Sequence, residues 1–351
     1  MHILVITPGF PANENDTDCI PPMQEYFRNL INTDSPIKIS VIAIHYPYSK
    51  SVYSWKNIMV YPCGGRGAVQ PKRLFYWLSA IYSALKINKK TRVNLIHSFW
   101  LSETAIIGII LSKLFRVRHI NTMMGQDVKA ENKYLKFLPL DSIIKIAVSQ
   151  FQSRVFCQST GNKPDYIIPW GIEELSKGDY ERKIDIIGVG ALIPVKNFKL
   201  FVNIIAELKK VFPSIKCLLI GEGTERHEIE LLIEKGKLKD NILLTGHIAR
   251  EEVLNYMRKS KILLHTSFFE SFGYVIEEAL ALGCYVVCSN IGCANGSNKV
   301  LTVNGADEIV PAVINILNNN FDYNPELLYP ISETVSSYLD LYENYFIKKS
   351  L

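Results

Sequence analysis

The sequence lacks a hydrophobic run long enough to cross a lipid bilayer. Away from the N-terminus, its longest apolar run lies between Ala105 and Leu111, far short of the roughly 20 residues that a membrane-spanning helix needs. The N-terminal run has no basic leader and ends at Pro8 and Gly9, which is typical of a buried first strand and not of a signal peptide. We therefore expect a cytoplasmic protein, soluble or peripheral on the inner face of the plasma membrane.

Cysteine is also sparse, with seven residues in a chain of 351 and no pair in the Cys-x-x-Cys spacing. The closest group, Cys284, Cys288 and Cys293, fits none of the common zinc-binding spacings. We expect reduced, structural thiols of the kind found in a reducing compartment. No acidic segment stands out as a metal site, so we expect no metal and no other bound cofactor.

Internal repeats, low-complexity tracts and nucleic-acid-binding motifs are missing as well. Their absence argues against a solenoid, a disordered chain and a nucleic-acid-binding protein. What remains is a composition of 48% hydrophobic and 21% charged residues, which is typical of a globular protein. Because 351 residues exceed what one hydrophobic core usually supports, two domains are expected.

A domain boundary is predicted near Pro169 and Gly171, which end a strand before a polar stretch. Residues 1–171 hold 20 Lys and Arg against 10 Asp and Glu, whereas residues 172–351 hold 19 against 24. The basic first half should therefore face something anionic. The predicted divisions are an N-terminal domain at 1–171, a C-terminal domain at 172–330, and a last helix within 331–351 that packs back towards the N-terminal domain.

Short apolar strands alternate with amphipathic helices throughout the sequence. In the first half, strands are predicted at 2–7, 37–44, 58–61, 93–98, 118–122 and 143–148, and helices at 22–33, 72–87, 101–115 and 149–160. In the second half, strands are predicted at 184–190, 216–220, 241–245, 262–265 and 285–289, and helices at 197–212, 224–236, 250–259, 272–283, 306–318 and about 332–348. This alternation predicts α/β domains with parallel sheets covered on both faces. Such sheets bind ligands at the carboxyl ends of their strands.

The segment that begins at His265 carries the strongest sign of chemistry. A predicted strand ends there, a loop carries Glu270, and a helix begins near Phe272. The N–H groups at that helix start, unobstructed at Gly273, form a ready phosphate site. Glu270 and Glu278 are then placed to accept hydrogen bonds from the sugar and ribose hydroxyls of a nucleotide sugar. Taken alone, the two glutamates could equally be a solvated helix face with an acid near the helix start.

The stretch from Glu270 to Gly283 follows the pattern E-x-F-G-x-x-x-x-E-A-x-A-x-G, with Ser271 where the pattern has a glycine. In this stretch the sequence resembles the large family of retaining glycosyltransferases of the GT-B fold, glycosyltransferase family 4 or group 1. Further segments that resemble the family, in chain order, are Ile168–Ile172, Val189–Asn197, Leu219–Gly223 and Leu244–Ile248. The resemblance covers nearly the whole second half. It implies two Rossmann-like domains with parallel sheets facing a central cleft.

The resemblance also implies a donor site in the second domain. Lys196 would neutralise the donor diphosphate, which gains negative charge as the glycosidic bond breaks. Glu270 would orient the donor sugar and Glu278 would hold the ribose. The family's partner arginine falls at Ala191, and Arg250 is one residue that could replace it. The predicted donor residues are Gly190, Lys196, Gly221, Gly223, His247, Ile248, Glu270, Phe272, Gly273, Tyr274, Val275 and Glu278.

The first half matches the family less closely and would bind the acceptor. Gly125 and Asp127 match a family segment at a strand end, with Met124 in place of a histidine. His97 aligns with another family histidine, although a core histidine at a strand end fits the sequence too. The polar loop after the first strand is expected to border the acceptor. The predicted catalytic residues are Lys196, Glu270 and Asp127, and the predicted acceptor side is Gly9, Phe10, His97, Gly125 and Asp127.

A basic, aromatic-rich stretch, Lys72–Leu78, is followed by four more basic residues: Lys86, Lys89, Lys90 and Arg92. Such stretches can lie on anionic membranes. The aromatic residues could instead be the core side of an ordinary helix, with solvated lysines behind them.

We therefore expect a hexosyltransferase-type glycosyltransferase that uses a nucleoside-diphosphate sugar and a saccharide or lipid-linked acceptor. The resemblance implies retention of configuration, and it suggests a role in bacterial surface polysaccharide synthesis, of lipopolysaccharide or capsule. Two alternatives stay open. One is a GT-B epimerase or an inverting transferase. The other is a catalytically weakened nucleotide-sugar-binding partner of another transferase, which Ala191 and Met124 favour.

Overall fold

The computed structural model describes residues 1–66, 72–175, 180–294, 296–319 and 322–347. The chain divides into two compact units. One is Met1–Gly171 together with Ile331–Leu351, and the other is Ile172–Pro330. Each unit is an α/β domain built around one sheet of mostly or wholly parallel strands.

The described part of the first unit has eight strands in one sheet. They are β1 (His2–Gly9), β2 (Lys38–Tyr46), β3 (Tyr53–Trp55), β4 (Ile58–Pro62), β5 (Leu95–Phe99), β6 (Arg118–Thr122), β7 (Ile144–Ala147) and β8 (Tyr166–Ile167). Their order is β3-β4-β2-β1-β5-β6-β7-β8, and β3 alone pairs antiparallel. Because the order reverses between β1 and β5, the place where such sheets bind ligands lies beyond the ends of these two strands.

Helices and short 3-10 turns connect these strands. The helices are α1 (Pro21–Ile31), α2 (Lys72–Lys90), α3 (Glu103–Phe115) and α4 (Gln150–Thr160), and the 3-10 turns are Gln126–Val128, Lys133–Lys136 and Leu140–Ser142. Helix α2 buries Ala80, Ala84 and Ile87, whose spacing of three to four residues places them on one helix face. They pack in a core cluster with Ile42 and Ile44 of the sheet. This apolar spacing determines which side of α2 faces the sheet.

The described part of the second unit contains six strands and five helices. The strands are β9 (Ile184–Val189), β10 (Cys217–Ile220), β11 (Ile242–Gly246), β12 (Ser260–His265), β13 (Tyr285–Ser289) and β14 (Val300–Val303). The helices are α5 (Phe198–Val211), α6 (Arg226–Lys235), α7 (Arg250–Arg258), α8 (Tyr274–Ala281) and α9 (Ala306–Asn318), with a 3-10 turn at Pro194–Lys196. Helix α5 buries Phe201, Ile205 and Leu208 in the unit's core.

The strand order in the second unit is β11-β10-β9-β12-β13-β14, and the strand pairs are parallel. Counted from β9 as the first strand, this is the order 3-2-1-4-5-6 of doubly wound, nucleotide-binding sheets. The order reverses between β9 and β12. The loops that follow these two strands are therefore where a ligand is expected.

After Pro330 the chain returns to the first unit as helix α10 (Ile331–Ile347). The hydroxyl of Tyr342 on this helix lies 2.8 Å from that of Tyr26 and 2.7 Å from Nδ1 of His97. All three side chains are fully buried. Their mutual hydrogen bonds offset the cost of burying polar groups, so α10 completes the core of the first unit.

Every strand and helix predicted from the sequence is present, with ends displaced by at most three residues. Position 348 of the predicted last helix lies outside the described residues. Strands β3 and β14 were not predicted, because each is short and shows no clear apolar pattern. Strand β8 lies where a strand was predicted to end near Pro169, although no bounds were given for that strand. The helix predicted to begin near Phe272 begins two residues later. Gly273 has a φ of +84°, outside the helical region, so the helix begins at Tyr274.

Candidate functional site

Three of the predicted donor residues lie in the loops that follow the strands on either side of the switch point in the second unit. The loop after β9 carries Gly190 and Lys196, and the loop after β12 carries Glu270. Strands β9 and β12 are adjacent and parallel, so their carboxyl ends lie at the same edge of the sheet. The topology therefore brings these two loops together.

Two hydrogen bonds tie the loops to each other. The hydroxyl of Thr266 donates to the carbonyl of Lys196 at 3.0 Å. The N–H of Phe268 donates to the carbonyl of Val195 at 2.9 Å. The 3-10 turn that carries Lys196 begins at Pro194, whose restricted φ suits the first position of a helical turn. The turn and its two cross-links hold Lys196 beside the loop after β12.

Lys196 and Glu270 form an ion pair at this position. Lys196 Nζ donates a hydrogen bond to Glu270 Oε1, and Nε2 of His265 lies 3.2 Å from the same oxygen. Burial acts to raise the pKa of Glu270, but the His265 imidazole and the Lys196 ammonium outweigh it and lower the pKa to about 2. The side chains of Lys196 and Glu270 keep 21% and 15% of their surface exposed. Glu270 is therefore an ionised carboxylate that solvent can still reach.

The contribution of His265 was not predicted from the sequence. Its side chain is 3% exposed, and it lies at the last position of β12. The available signal was that position, because a polar side chain at the carboxyl end of a strand next to the switch point can face the ligand.

Helix α8 begins just beyond the Lys196–Glu270 pair. Gly273 precedes it in the left-handed region, with a φ of +84°, where a residue with a Cβ would be strained. Gly273, the N-cap residue, has no side chain and so makes no side-chain cap to this helix start. Helix starts of this kind are suited to binding an anion through their N–H groups. A Cβ added to Gly273 would lie 3.7 Å from Cβ of Glu270, so the helix start and the ion pair belong to one site.

The neighbouring strand ends contribute the other predicted glycines. The N–H of Gly221 donates to the carbonyl of Gly246 at 3.0 Å. A Cβ on Gly221 would come within 1.9 Å of the carbonyl oxygen of Gly190, so only glycine allows these backbones to approach so closely. The loops at the same sheet edge also carry three further predicted donor residues: Gly223, His247 and Ile248.

Glu278, the predicted ribose ligand, lies next to a cation. Nε and Nη2 of Arg250 lie 2.9 Å and 2.8 Å from Oε1 of Glu278. The Arg250 guanidinium is also 5.6 Å from the centre of the Tyr274 ring. Ala191, where the family's arginine would fall, is exposed and brings no charge. Arg250 is thus a cation beside the first two turns of α8.

The two remaining donor predictions, Phe272 and Val275, differ in burial. The Phe272 side chain is 3% exposed and its ring centre lies 5.4 Å from that of Tyr329. Val275 is half-buried in the first turn of α8. Phe272 can therefore reach a ligand only through its backbone.

Glu277 is a buried acid that the sequence analysis did not single out. Its Oε1 accepts hydrogen bonds from the N–H groups of Leu328 and Tyr329, each at 2.8 Å. Burial raises the pKa of Glu277 to about 7, although these two N–H groups act to lower it. Glu277 therefore fastens α8 to the end of the second unit. The available signal was a charged residue inside the otherwise apolar face of α8.

In the first unit, Asp127 organises the loop in which it lies. Its carboxylate accepts hydrogen bonds from the N–H groups of Leu101 and Gly125, each at 2.7 Å. Burial raises the pKa of Asp127 above its usual value, against the effect of these N–H groups. The side chain thus joins the loop after β5 to the loop after β6. The catalytic role of Asp127 and the acceptor contacts of Gly9 and Gly125 remain predictions.

Two other residues predicted for the acceptor side are core residues. Phe10 is fully buried, with its ring centre 5.3 Å from that of Trp55. His97 is fully buried as well, with its second ring nitrogen 2.8 Å from the Thr122 hydroxyl. Burial, with a smaller effect of His119, lowers the pKa of His97 to about 3. Neither side chain reaches the surface of the first unit, so the alternative of a core histidine fits His97.

The part of the chain that the structure describes shows neither a metal cluster nor a membrane-spanning helix. No three His, Cys, Asp or Glu side chains among the described residues are arranged to hold a metal ion. None of the helices in the same ranges is both long and apolar enough to cross a membrane.

Comparison with known proteins gives matches along the chain. Residues 173–327, nearly the whole second unit, match the family model described as glycosyl transferases group 1. An uncharacterized glycosyltransferase of Methanocaldococcus jannaschii is 24% identical over 312 residues, covering 84% of this chain and 84% of that protein. One component of the human phosphatidylinositol N-acetylglucosaminyltransferase is 26% identical over 223 residues. That match covers 58% of this chain and 45% of the relative, less than half of its length.

A solved structure resembles the chain over its whole length. The sucrose-phosphate synthase from Thermosynechococcus elongatus matches with a TM-score of 0.79 at 18% identity, covering 99% of this chain and 100% of that chain. At this identity the likeness shows the fold. The predicted fold class, a GT-B fold of two Rossmann-like α/β domains, is confirmed.

Proposed function

We propose that this protein is a group 1 glycosyltransferase that moves a sugar from a nucleoside-diphosphate sugar to a saccharide or lipid-linked acceptor, with retention of configuration. The observation that carries the proposal is the Lys196–Glu270 pair, which lies beside the start of α8 at the switch point of the second unit. A cation and a helix start are then available to one diphosphate, with a carboxylate next to them.

The leaving group is the part of the reaction that this site suits best. A nucleoside diphosphate gains negative charge as the bond to the sugar breaks. The Lys196 ammonium and the N–H groups at the start of α8 stabilise that charge because they are fixed in place before the reaction. In the donor complex, Lys196 would share its hydrogen bonds between Glu270 and a phosphate oxygen.

Glu270 suits the role of holding the donor sugar. A carboxylate with a pKa of about 2 is a weak base at neutral pH, so it is poorly placed to remove a proton. It remains a strong hydrogen-bond acceptor for sugar hydroxyls. The reaction with retention needs no protein base in this scheme, because the departing phosphate oxygen takes the proton of the acceptor hydroxyl that attacks from the same face.

The ribose would lie at Glu278, one to two turns into α8. Its carboxylate can accept hydrogen bonds from the two ribose hydroxyls, and Arg250 holds it in an orientation from the α7 side. The guanidinium of Arg250 also lies over the aromatic ring of Tyr274, 5.6 Å from its centre. We expect the nucleoside end of the donor beside these two side chains.

The acceptor would be bound by the first unit and is proposed to be a lipid-linked saccharide in bacterial surface polysaccharide synthesis. The excess of basic residues in residues 1–171 suits an acceptor that carries phosphate. The name of the human relative, a phosphatidylinositol N-acetylglucosaminyltransferase component, describes an enzyme that acts on a phosphate-bearing lipid.

The test is donor turnover on a panel of UDP-, GDP- and ADP-linked sugars. Release of nucleoside diphosphate is measured for the native chain, for Lys196→Met and for Glu270→Gln. We expect Lys196→Met to lower the rate about 100- to 1000-fold, the usual loss when one stabilising group of a developing anion is removed. A matched control is Lys261→Met, because Lys261 pairs with Asp185 at 2.7 Å in the same unit, away from the site. A Lys196→Met variant as active as Lys261→Met would overturn the proposal.

Retention and the binding-partner alternative are tested separately. Proton NMR of the product of an α-linked donor should show an α-linked anomeric proton, and a β-linked product would indicate an inverting transferase. The exposed Ala191, which brings no charge, favours a weakened donor-binding partner as the second candidate. That candidate predicts a thermal shift with a sugar nucleotide but no turnover on any acceptor.

A further inference from the structure

Helix α2 of the first unit carries a surface that donor chemistry does not use. Its 19 residues, Lys72–Lys90, contain five Lys and Arg and no Asp or Glu. The face with Ala80, Ala84 and Ile87 is buried against the sheet. The opposite face is exposed, and a soluble helix would ordinarily have polar residues there.

The exposed face of α2 is instead largely apolar. Five large side chains protrude from it: Leu74, Phe75, Leu78, Tyr82 and Leu85. With 3.6 residues per turn they fall within roughly 100° of the helix circumference. Phe75 is 71% exposed, so it is the most prominent of the five. We call this set the apolar stripe of α2. Single exposed apolar residues are ordinary, but a continuous stripe marks a contact surface.

Lysines border the apolar stripe. Lys72, Lys86, Lys89 and Lys90 are all exposed on the same helix. The ammonium of Lys86 lies 4.5 Å from the centre of the Tyr82 ring, which places a charge at the edge of the stripe. Arg73 differs from these lysines because it contacts Glu103 at 3.5 Å. The exposed charge on this helix is therefore entirely positive.

A further apolar residue, outside α2, protrudes close to the start of this helix. Nη1 of Arg73 donates a hydrogen bond to the hydroxyl of Tyr134 at 2.8 Å, which fixes the 3-10 turn Lys133–Lys136 against the first turn of the helix. Phe137, directly after that turn, is 78% exposed. The lysines at both ends of the turn are exposed as well. The same combination of an exposed aromatic ring and basic residues thus recurs next to α2.

We infer that the apolar stripe of α2 and the adjoining Phe137 bind the surface of an anionic lipid bilayer. Helices that lie in the membrane interface typically have an exposed apolar face bordered by lysines. The lysine ammonium groups reach lipid phosphates while their carbon stems stay on the apolar side. Charge complementarity favours an anionic bilayer over a second copy of the chain, because two copies would bring the same lysines against each other. This inference goes beyond the proposed activity and does not require it.

The test is flotation of the full chain with vesicles of phosphatidylcholine alone or with an equal amount of phosphatidylglycerol. We expect binding to the anionic vesicles that is at least tenfold tighter than to the neutral ones and that weakens as salt is raised. Phe75→Ser with Leu78→Ser should lower binding at least tenfold. Lys86→Glu, Lys89→Glu and Lys90→Glu together should do the same, since each basic residue near an anionic surface contributes several-fold in affinity.

Matched controls lie in the second unit. Leu231→Ser with Leu243→Ser replaces two exposed leucines of α6 and β11, and Lys235→Glu, Lys237→Glu and Lys239→Glu replace three exposed lysines. Both controls should bind vesicles like the native chain. Lys196→Met should also bind like the native chain, so loss of donor turnover and loss of membrane binding are separate results.

Three outcomes would overturn the inference. The first is no binding of the native chain to the anionic vesicles. The second is binding that the stripe and lysine variants leave unchanged. The third is a native dimer in light scattering that Phe75→Ser with Leu78→Ser converts to a monomer while vesicle binding persists, which would make the stripe an interface between two copies.

Discussion

Replacing Lys196 by methionine removes the cation of the Lys196–Glu270 pair while keeping the apolar stem of the side chain. Of the two ion-pair partners of Glu270 described above, His265 then remains. We expect the second unit to be destabilised at pH 7, because a largely buried carboxylate loses its counter-ion. The variant therefore tests whether the pair is a real electrostatic coupling, independently of any catalytic assay.

The pKa of Glu270 sets the size of the effect. Its fall from 4.5 to about 2 corresponds to roughly 3 kcal/mol in favour of the folded, ionised form, since each pKa unit is worth about 1.4 kcal/mol. His265 and Lys196 both contribute to it, and Lys196 is partly solvated. We therefore expect Lys196→Met to lower the free energy of unfolding by about 1–3 kcal/mol. The stabilisation is present above pH 4.5 and is lost as the pH falls towards about 2.

The assay must report on the second unit. All four tryptophans lie within residues 1–171, so tryptophan fluorescence follows the first unit and serves as an internal control. Hydrogen exchange of peptides from β12 and α8 reports the second unit. Exchange there should accelerate in Lys196→Met at pH 7, with an unchanged fluorescence transition.

The double variant Lys196→Met with Glu270→Gln completes the test. If the pair is coupled, the double variant should be more stable than the sum of the single effects implies, by at least about 1 kcal/mol. Lys261→Met with Asp185→Asn gives the matched cycle for an ion pair away from the site. Simple additivity at the Lys196–Glu270 pair, or a Lys196→Met effect as large at pH 3 as at pH 7, would refute the reasoning.

Three further predictions concern other buried groups. Because burial raises the folded-state pKa of Glu277 from 4.5 to about 7, the free energy of unfolding of the second unit should fall by about 3 kcal/mol between pH 4.5 and 7. Glu277→Gln should remove that pH dependence when unfolding in urea is monitored by hydrogen exchange. An unchanged pH profile would contradict the assignment. Glu278→Ala should abolish the stabilisation of about 2.7 kcal/mol expected from a sugar nucleotide at 100 times its dissociation constant, and a persisting thermal shift would remove Glu278 from the ribose site. Tyr342→Phe leaves His97 and Tyr26 without their shared partner, so tryptophan fluorescence should show a loss of about 1–3 kcal/mol in the first unit; no change would mean that water replaces the hydroxyl.

The sequence was sufficient to place Lys196 and Glu270 on loops that follow two strands of one parallel sheet. Strand periodicity and the family resemblance predict that much. The direct ion pair was not predictable, because it depends on Thr266 and Phe268 bonding to the backbone of the turn that carries Lys196. Backbone hydrogen bonds between loops leave no periodic trace in a sequence.

His97 shows where a sequence pattern misleads. It lies at a strand position that suggests a ligand contact, and the residue that engages it, Tyr342, is 245 positions away. Tertiary packing determines which side chain covers a strand residue, and a local sequence pattern does not contain that information. Arg250 illustrates the opposite case. Its pairing with Glu278 places a cation beside α8, which the sequence allowed but could not demonstrate.

The two ends of the second unit are joined to each other, since the N–H of Ile172 donates to the carbonyl of Tyr329 at 3.0 Å and the chain then continues into α10. During synthesis the ribosome delivers residues 172–330 before the helix that completes the first unit. At about 5–20 residues per second, the nascent first unit waits on the order of 10–40 seconds for Tyr342 to cover His97 and Tyr26. The half of the protein that is made first is thus the last to acquire its full core.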